Sequence, residues 1–304
     1  MNIGLVGLGK MGGAIFSRLT SKGFHVEVYD PNANLYTKYQ LSSHQSHASL
    51  ETLVAALPEP RCLWIMVPAG ETTEGVIVKS TQLLSKDDVI IDGGNSHYKD
   101  TMRVARSVVE HSLQFADIGT SGGVRGETLG FSMTIGSTRD TYERISPILD
   151  ALSPDGSEVG HLLVGPYGAG HFVKMVHNGI EYGLMEAYAE GFALLNRTAA
   201  FDLDLSRIAD TWNQGSVVRS WLLGLIIEAL EEDATLSRIS PIVSDSGEGR
   251  WTIEEAIDSS TPVPVIAASL WSRFSSQDSS YADRLLAKLR NVFGGHPLQG
   301  EDHD

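Results

Sequence analysis

Short apolar runs alternate with segments of helical length over the first half of the chain. The runs lie at residues 3–6, 26–29, 63–67, 89–92, 115–118 and 131–135. Apolar runs of this length, separated by stretches long enough for a helix, are typical of parallel strands joined by crossover helices. The pattern therefore predicts an α/β domain with a doubly wound parallel sheet.

The second half of the chain has a different pattern of apolar residues. After the glycine-rich segment at 165–170, apolar residues recur at helical spacing and strand-like alternation ends. This change predicts a boundary that gives an α/β domain at 1–166 and an all-α domain with a C-terminal tail at 167–304. A long helix over 171–197 is expected to open the second part. Its later apolar residues are interpreted as core: Leu184, Met185, Tyr188, Phe192 and Leu195.

Four polar residues form a stripe on this predicted helix. Lys174, His177, Asn178 and Glu181 stand at i, i+3, i+4 and i+7, which places them on one helical face. At ~1.5 Å of rise per residue, the base and the acid at the two ends lie about 10 Å apart, the reach of one small, extended substrate. A solvated helix face would show the same spacing. The stripe alone leaves both readings open.

A glycine fingerprint follows the first strand. Gly7, Gly9 and Gly12 open a helical pattern, and Asp30 ends the second predicted strand. In a Rossmann-type domain such glycines permit a tight turn, close approach to a pyrophosphate and close helix packing, while the acidic residue binds ribose hydroxyls. The charge of Asp30 would repel the extra phosphate of NADP, so NAD is the expected cofactor and NADP the less favoured one. The alternative is that Asp30-Pro31 only begins a turn.

Composition narrows the class of protein. The 304 residues include 23 Lys and Arg against 38 Asp and Glu, a net charge of −15 that disfavours nucleic acids and anionic membranes as partners. The single cysteine, Cys62, lies in an apolar run and is expected to be buried and inert. The ten histidines are scattered without metal-site spacing, so no metal is expected. Neither a signal peptide nor a membrane-length apolar stretch is evident, and a cytoplasmic protein is expected.

With these motifs in view, the chain resembles the decarboxylating 6-phosphogluconate dehydrogenases, in their short NAD-linked form, within the β-hydroxyacid dehydrogenase superfamily. The matching segments are 7–12, 92–101, 120–123, 174–182, 247–252, Arg273 and 290–296. The wider superfamily resembles this chain at Lys174 and Asn178. His177 and Glu181, with the segment 249–251, resemble the phosphogluconate enzymes alone.

The resemblance implies oxidative decarboxylation of 6-phosphogluconate to ribulose 5-phosphate, a reaction of the pentose phosphate pathway and of gluconate utilisation. Independently of it, oxidation of a hydroxyl requires a base, and a lysine qualifies if its surroundings lower its pKa. Lys174 is the candidate base. Protonation of the enediol left after loss of carbon dioxide requires an acid at another atom, and Glu181 fits that role. No metal is needed, because the ketone formed by oxidation accepts the electrons of the breaking bond.

The resemblance also implies two sets of binding residues. Those expected to bind substrate are Asn95, Ser121, Gly122, Gly123, His177, Asn178, Tyr182, Arg273, Arg290 and His296. The last four of these are expected to surround the phosphate. Those expected to bind the cofactor are Gly7, Leu8, Gly9, Lys10, Met11, Gly12, Asp30, Val67, Pro68, Ala69 and Asn95. In longer family members the residues matching Arg290 and His296 come from a neighbouring subunit, so a homodimer or homotetramer is expected.

The chain departs from the pattern of the longer enzymes at three positions. Ser246 and Glu248 stand where those enzymes have a lysine and a threonine facing the phosphate, and Pro68 replaces a lysine near the cofactor. Arg250 is a candidate to compensate for the missing charge. Two alternatives stay open: another β-hydroxyacid dehydrogenase or semialdehyde reductase, and a non-catalytic NAD-binding sensor.

Overall fold

The computed structural model describes residues 2–42, 44–277, 281–282, 284–285 and 288. The chain divides into two compact units, Met1–His177 and Asn178–Asp304. The assignment of cofactor binding to 1–166 and of substrate binding and oligomerisation to 167–304 stays a prediction.

The first unit is built on an eight-stranded sheet. Its strands are β1 (Asn2–Val6), β2 (His25–Tyr29), β3 (Ser46–His47), β4 (Cys62–Ile65), β5 (Val89–Asp92), β6 (Gln114–Ser121), β7 (Ser132–Ser137) and β8 (His161–Gly165). Their order in the sheet is β3-β2-β1-β4-β5-β6-β7-β8. The chain thus winds outward from β1 in one direction and from β4 in the other. The predicted doubly wound fold class is confirmed, and ligands of such sheets bind where the winding reverses.

Two strands at one edge of the sheet, β7 and β8, run against the other six, since β8 is parallel to β7. β7 pairs with β6 in antiparallel register, with Asp117 opposite Gly136. The connection between them contains only a short 3-10 helix (Gly123–Arg125) and the four-residue α6 (Gly126–Leu129). A parallel crossover needs a dozen or more residues, so the chain turns back instead. The sequence pattern of alternating runs did not predict this reversal.

Helices cover both faces of the sheet. Besides α6, the first unit contains α1 (Lys10–Ser21), α2 (Asn34–Lys38), α3 (Leu50–Ala56), α4 (Glu71–Thr81), α5 (Tyr98–Glu110) and α7 (Arg139–Leu152). Two buried apolar clusters result, one around Leu5, Ile15 and Trp64 and the other around Leu53, Leu63 and Phe115. Cys62 is buried in the first of them, and burial raises the pKa of its thiol to about 12, as expected of an inert cysteine.

The second unit is helical in its described part. A long helix, α8 (Ala169–Arg197), begins in the first unit and continues into the second, which adds α9 (Leu205–Gly215), α10 (Trp221–Glu232), α11 (Glu248–Asp258) and α12 (Pro264–Gln277). Side chains cap two of these helices: Asp204 accepts the Arg207 N–H at 3.0 Å, and Ser220 accepts the Leu223 N–H at 3.0 Å. Within the described residues, no helix is both long and apolar enough to cross a bilayer.

The core assignment on α8 is wrong for part of the helix. Leu184 and Met185 are exposed, whereas Tyr188, Phe192 and Leu195 are half-buried. Helical spacing identifies a face, but it cannot show whether the rest of the same chain covers that face.

Candidate active site

The turn between β1 and α1 requires its glycines. Gly7 has φ +98°, a left-handed conformation that favours glycine. A Cβ on Gly12 would lie 2.1 Å from the Gly7 carbonyl oxygen, so only glycine lets the helix pack this closely. A Cβ on Gly9 would meet no described heavy atom within 4 Å. The turn is thus tight on the protein side and open beside Gly9.

The start of α1 and the end of β2 complete this arrangement. Gly9 is the N-cap of α1 and supplies no side chain to cap the first-turn N–H groups, which suits an anion such as a pyrophosphate. The Asp30 carboxylate accepts the Leu8 N–H through Oδ2 at 2.7 Å and the Asn32 N–H through Oδ1 at 2.8 Å. These bonds hold its negative charge beside the turn. The residues present therefore fit a dinucleotide, and Lys10 and Met11 are part of the same first helical turn.

Two further loops of the first unit carry predicted cofactor residues. Val67, Pro68 and Ala69 follow β4, and the Thr73 hydroxyl holds their loop by donating to the Pro68 carbonyl at 2.8 Å. Asn95 follows β5 and is exposed. Because β4 and β5 are parallel, these loops leave the sheet at the same edge.

A chain of polar contacts joins three predicted residues of the first unit. Ser121 ends β6, and its Oγ lies 3.4 Å from Nε2 of His177. On the other side of the ring, Nδ1 of His177 lies 3.5 Å from Nζ of Lys174. The next two residues, Gly122 (φ +142°) and Gly123 (φ +56°), adopt conformations that favour glycine. A hydroxyl, an imidazole and an amine are thus brought together.

The remaining stripe residues lie in the second unit, on the continuation of α8. Asn178 is buried and Glu181 is half-buried. The neighbouring Tyr182 is buried, its hydroxyl shares a 3.0 Å hydrogen bond with Ser246 Oγ, and the Arg273 guanidinium stacks 3.5 Å from the centre of its ring. Tyr182 and Arg273, which the resemblance placed together, do lie together.

The departures from the longer enzymes have structural consequences in the second unit. Ser246 Oγ donates to the carboxylate of Glu248, which is buried, so a negative charge stands beside Tyr182 and Ser246. Arg250 pairs with Asp245 and stacks 4.4 Å from the Phe274 ring centre. Its guanidinium is therefore already held by a carboxylate. Arg290 and His296 lie outside the described residues.

Two buried carboxylates at the site escaped sequence reasoning. Asp92 accepts the Gly94 N–H at 3.1 Å and the Ser96 hydroxyl at 2.8 Å, and so shapes the loop that carries Asn95. Asp117 accepts the N–H groups of Gly168 and His171 at the start of α8, six and three residues before Lys174. An acidic residue inside an apolar strand was the available signal, because such a residue is seldom buried without a partner.

Groupings of His, Cys, Asp and Glu side chains that could hold a metal ion are not found among the described residues.

Comparison with known families assigns both parts of the chain. Residues 2–162 match the NAD binding domain of 6-phosphogluconate dehydrogenase, and residues 170–301 match the 6-phosphogluconate dehydrogenase C-terminal domain. The family model for the first part agrees with the dinucleotide fit of the glycine turn.

Individual relatives lead to the same family. The chain is 40% identical to the NAD(+)-dependent, decarboxylating 6-phosphogluconate dehydrogenase of Haloferax volcanii, over 99% of this chain and 100% of that protein. It superposes on the Plasmodium falciparum 6-phosphogluconate dehydrogenase with a TM-score of 0.84 at 27% identity, covering 100% of this chain and 67% of that one. The 3-hydroxyisobutyrate dehydrogenase of Salmonella typhimurium has a TM-score of 0.76 at 18% identity, over 92% and 95%, which shows a shared fold alone. The resemblance inferred from sequence motifs is confirmed: the chain belongs to the 6-phosphogluconate dehydrogenase family.

Proposed function

We propose that this protein oxidatively decarboxylates 6-phospho-D-gluconate to D-ribulose 5-phosphate and carbon dioxide, with hydride transfer to NAD. The observation that carries the proposal is the contact chain from Ser121 through His177 to Lys174, in a chain whose full length matches this family. It provides a base and hydrogen-bonding groups in one place, as the oxidation of a hydroxyl requires.

Lys174 acts first as a general base. A hydride can leave carbon 3 only as the hydroxyl on that carbon loses its proton, and the neutral Lys174 amine takes that proton. His177, held between Ser121 and Lys174, orients the amine and the Ser121 hydroxyl beside the substrate. The products of this step are a 3-keto acid and a protonated Lys174.

Decarboxylation follows from the new ketone. The bond between carbons 1 and 2 breaks, carbon dioxide leaves, and the electron pair enters an enediol whose oxygen at carbon 3 receives the proton from Lys174. Lys174 thus returns to its neutral state. The Ser121 hydroxyl and the N–H groups of Gly122 and Gly123 bind the substrate carboxylate before it departs.

Glu181 completes the reaction as a general acid. The enediol becomes a ketose when Glu181 protonates the former carbon 2, now carbon 1 of ribulose 5-phosphate. The hydroxyl at the former carbon 3 gives its proton to the neutral Lys174 amine and becomes the carbonyl. The protonated carbon differs from the atoms that Lys174 serves, so a second group is needed. Glu181 lies two helical turns further along α8, and Asn178 between them hydrogen-bonds substrate hydroxyls.

NAD supplies the hydride acceptor when bound. Gly7, Gly9 and Gly12, with the N–H groups of Lys10 and Met11, would hold its pyrophosphate. Asp30, held in place by the Leu8 N–H, would bind the adenosine ribose hydroxyls. The loops carrying Val67, Pro68, Ala69 and Asn95 line the nicotinamide side. The carboxylate of Asp30 disfavours NADP, because a ribose phosphate would stand next to a fixed negative charge.

The phosphate of the substrate binds at Tyr182 and Arg273. The guanidinium of Arg273 supplies a positive charge, and the Tyr182 ring on which it stacks holds it in place. Arg290 and His296 stay predictions for this subsite. The protein acts as a homodimer or homotetramer, which is supported by the exposed apolar residues of the second unit. A cytoplasmic location stays a prediction of the sequence.

The direct test is an assay with 6-phosphogluconate and either NAD or NADP, in which NADH formation and carbon dioxide release are followed together. We expect equal amounts of the two products and a preference for NAD. Glu181→Gln is expected to slow turnover roughly 100-fold, since protonation of carbon loses its acid. Glu186→Gln, five residues further along α8, is the matched control.

Other outcomes would identify the alternatives. Turnover of 3-hydroxyisobutyrate or tartronate semialdehyde, without turnover of 6-phosphogluconate, would replace the proposed substrate by one of the wider superfamily. Saturable NAD binding without turnover of these compounds would indicate a sensor. An undiminished rate in the Glu181 variant would remove Glu181 from the role of acid.

A further inference from the structure

Asp117 is a charged residue in the middle of the sheet core. It lies on β6, fully buried, directly opposite Gly136 of β7 and in register with Asp92 of β5. Burial raises the pKa of its carboxyl above the ordinary value, and the charge of Asp92 adds to this rise; His171 and the two N–H groups that Asp117 accepts act against it. An ionised carboxylate at this position is costly, so the groups it binds are of interest.

Those groups lie at the start of α8. Oδ1 of Asp117 accepts the Gly168 N–H at 2.7 Å, and Oδ2 accepts the His171 N–H at 2.9 Å. Gly168 precedes the first residue of α8, Ala169, and has no side chain that could act as an N-cap. Asp117 therefore takes the part of a capping side chain from a position 51 residues earlier in the sequence. Its negative charge also suits the N-terminal end of the helix dipole.

The same turn of α8 packs closely against the sheet. A Cβ on Gly170 would lie 2.6 Å from the Asp117 carbonyl oxygen, and a Cβ on Gly119 would lie 2.4 Å from the Cβ of Lys174. Asp117 and Gly119 are two residues apart on β6 and so face the same side. The Lys174 side chain thus packs against β6, the strand that carries Asp117. A shift of the first turn of α8 would move the Lys174 amine relative to the sheet.

A second contact joins this first turn of α8 to α5. Nδ1 of His171 lies 2.8 Å from the hydroxyl of Thr101, and both side chains are buried. Thr101 belongs to α5, which follows the loop of Asn95, and Asp92 holds that loop from the neighbouring strand. The two carboxylates, side by side on β5 and β6, each hold a segment that carries a proposed site residue.

We propose that Asp117 is a positioning residue for the reaction: by accepting the N–H groups of Gly168 and His171 it fixes the first turn of α8 and thereby the place of the Lys174 amine. The inference rests on the proposed function for its catalytic consequence. Asp117 itself touches the backbone of α8 and is assigned no proton-transfer role.

The same strand pair of the sheet offers a matched control. Asp88, just before β5, is also fully buried, accepts the Ser85 N–H at 2.9 Å and a second backbone N–H from Arg61, and pairs with the Arg61 guanidinium at 3.0 Å. It lies at the amino end of the strand, whereas the site lies at the carboxyl end. Asp88→Asn tests what the loss of a buried carboxylate does to the fold, and Asp117→Asn tests what it does to the reaction.

In Asp117→Asn one of the two N–H acceptors becomes an amide donor. We expect kcat to fall roughly 10- to 100-fold, the cost of misplacing a reacting group by a fraction of an ångström to an ångström. The KM for NAD should stay within about 2-fold, because the glycine turn is untouched. In the pH profile of kcat, the limb that reports the lysine should shift. Amide exchange over the first turn of α8 should become faster. Asp88→Asn should leave kcat within about 2-fold and that exchange unchanged, even if its melting temperature falls further.

Gly136→Ala provides a second variant if Asp117→Asn does not fold. A Cβ there would lie 2.4 Å from Oδ1 of Asp117 and would displace the carboxylate without removing it, with the same expected loss of kcat. Equal kcat values in the Asp117 and Asp88 variants, or unchanged exchange in the first turn of α8 on altering Asp117, would overturn the proposal. If the unaltered protein does not oxidise 6-phosphogluconate, the proposed function fails, and amide exchange alone still decides whether Asp117 fixes the helix.

Discussion

The two compact units differ in how much of their apolar surface the chain itself buries. In the first, Leu5, Trp64 and Phe115 represent a core of fully buried side chains on both faces of the sheet. In the second, Leu194 and Phe201 are 75% and 70% exposed, and Trp221 and Trp271 are also exposed. A sheet covered by helices on both faces closes its own core, whereas a set of helices with apolar outer faces needs a further surface.

The proposed chemistry is divided along the same line. The cofactor residues and the base, Lys174, belong to the first unit, where close-packed backbone holds them. The acid, Glu181, and the phosphate residues Tyr182 and Arg273 belong to the second. The difference teaches that the residues proposed for the redox step are held by a closed core, and that those proposed to bind phosphate belong to the unit whose apolar surface is left open.

The largest expected effect concerns the base of the first unit. Lys174→Ala should lower kcat roughly 1,000-fold, because general-base catalysis and the return of the proton are lost together. Steady-state kinetics with 6-phosphogluconate and NAD measure it, and NAD binding should persist. Lys99→Ala, at an exposed lysine of α5, is the control. A Lys174 variant with near-normal turnover would show that the first unit does not supply the base.

The closed core of the first unit is tested by its stability. Leu63→Ala removes a fully buried side chain and should lower the free energy of unfolding by about 2–5 kcal/mol. Leu129→Ala, at a residue that is 58% exposed, should change it by less than about 0.5 kcal/mol. Urea denaturation of both variants measures the difference. Similar losses in the two would contradict the contrast drawn between core and surface.

The open apolar surface of the second unit is tested by assembly. Phe201→Glu combined with Trp221→Glu should raise the dissociation constant of the oligomer by roughly 30-fold or more, since buried aromatic residues dominate such interfaces. Analytical ultracentrifugation measures it. Val159→Glu, which introduces the same charge at a 73% exposed residue of the first unit, should leave the mass unchanged. An unaltered mass in the double variant would mean that these residues do not face a second copy.

The cofactor end of the first unit is tested at Asp30. Asp30→Ala removes a charged hydrogen-bond acceptor and should shift the ratio of kcat/KM values for NAD over NADP by about 10-fold toward NADP. The ratio is measured by varying each cofactor at saturating 6-phosphogluconate. Glu110→Ala, at an exposed residue of α5, should leave the ratio as it is. If the Asp30 variant keeps it too, the preference for NAD comes from another residue.

The smallest expected effect lies on the surface of the first unit. A hydrogen bond from Lys79 lowers the pKa of Glu51 from 4.5 to about 2. A lowered pKa means that the pair adds stability above pH 4.5 and that this contribution is lost as the pH falls toward about 2. Glu51→Gln should therefore melt slightly lower than the unaltered protein at neutral pH, with a gap that closes in acid and in high salt. A gap that stays constant with pH would point to packing instead of charge.

Much of the site was readable because its residues are close in sequence or serve a local backbone need. Gly7, Gly9 and Gly12 mark a turn, and Lys174 and Glu181 share one helix, so spacing along the chain is enough to group them. Tyr182 and Arg273 were grouped only by family resemblance. Asp117 was missed, because its partners Gly168 and His171 are more than 50 residues away and join it only through the sheet. The exposure of Leu184 and Met185 was also missed, because local spacing does not show whether distant segments cover a helix face.

The sequence by itself determined the doubly wound α/β class, the dinucleotide turn with Asp30, and the helix that carries a base and an acid, since each follows from local periodicity or from the conformational needs of glycine. Only the tertiary structure decided that β7 runs antiparallel, that Arg250 is held by Asp245, and that a buried carboxylate on β6 caps α8. These are contacts between distant segments, and their energies depend on burial and hydrogen bonding that no local pattern contains.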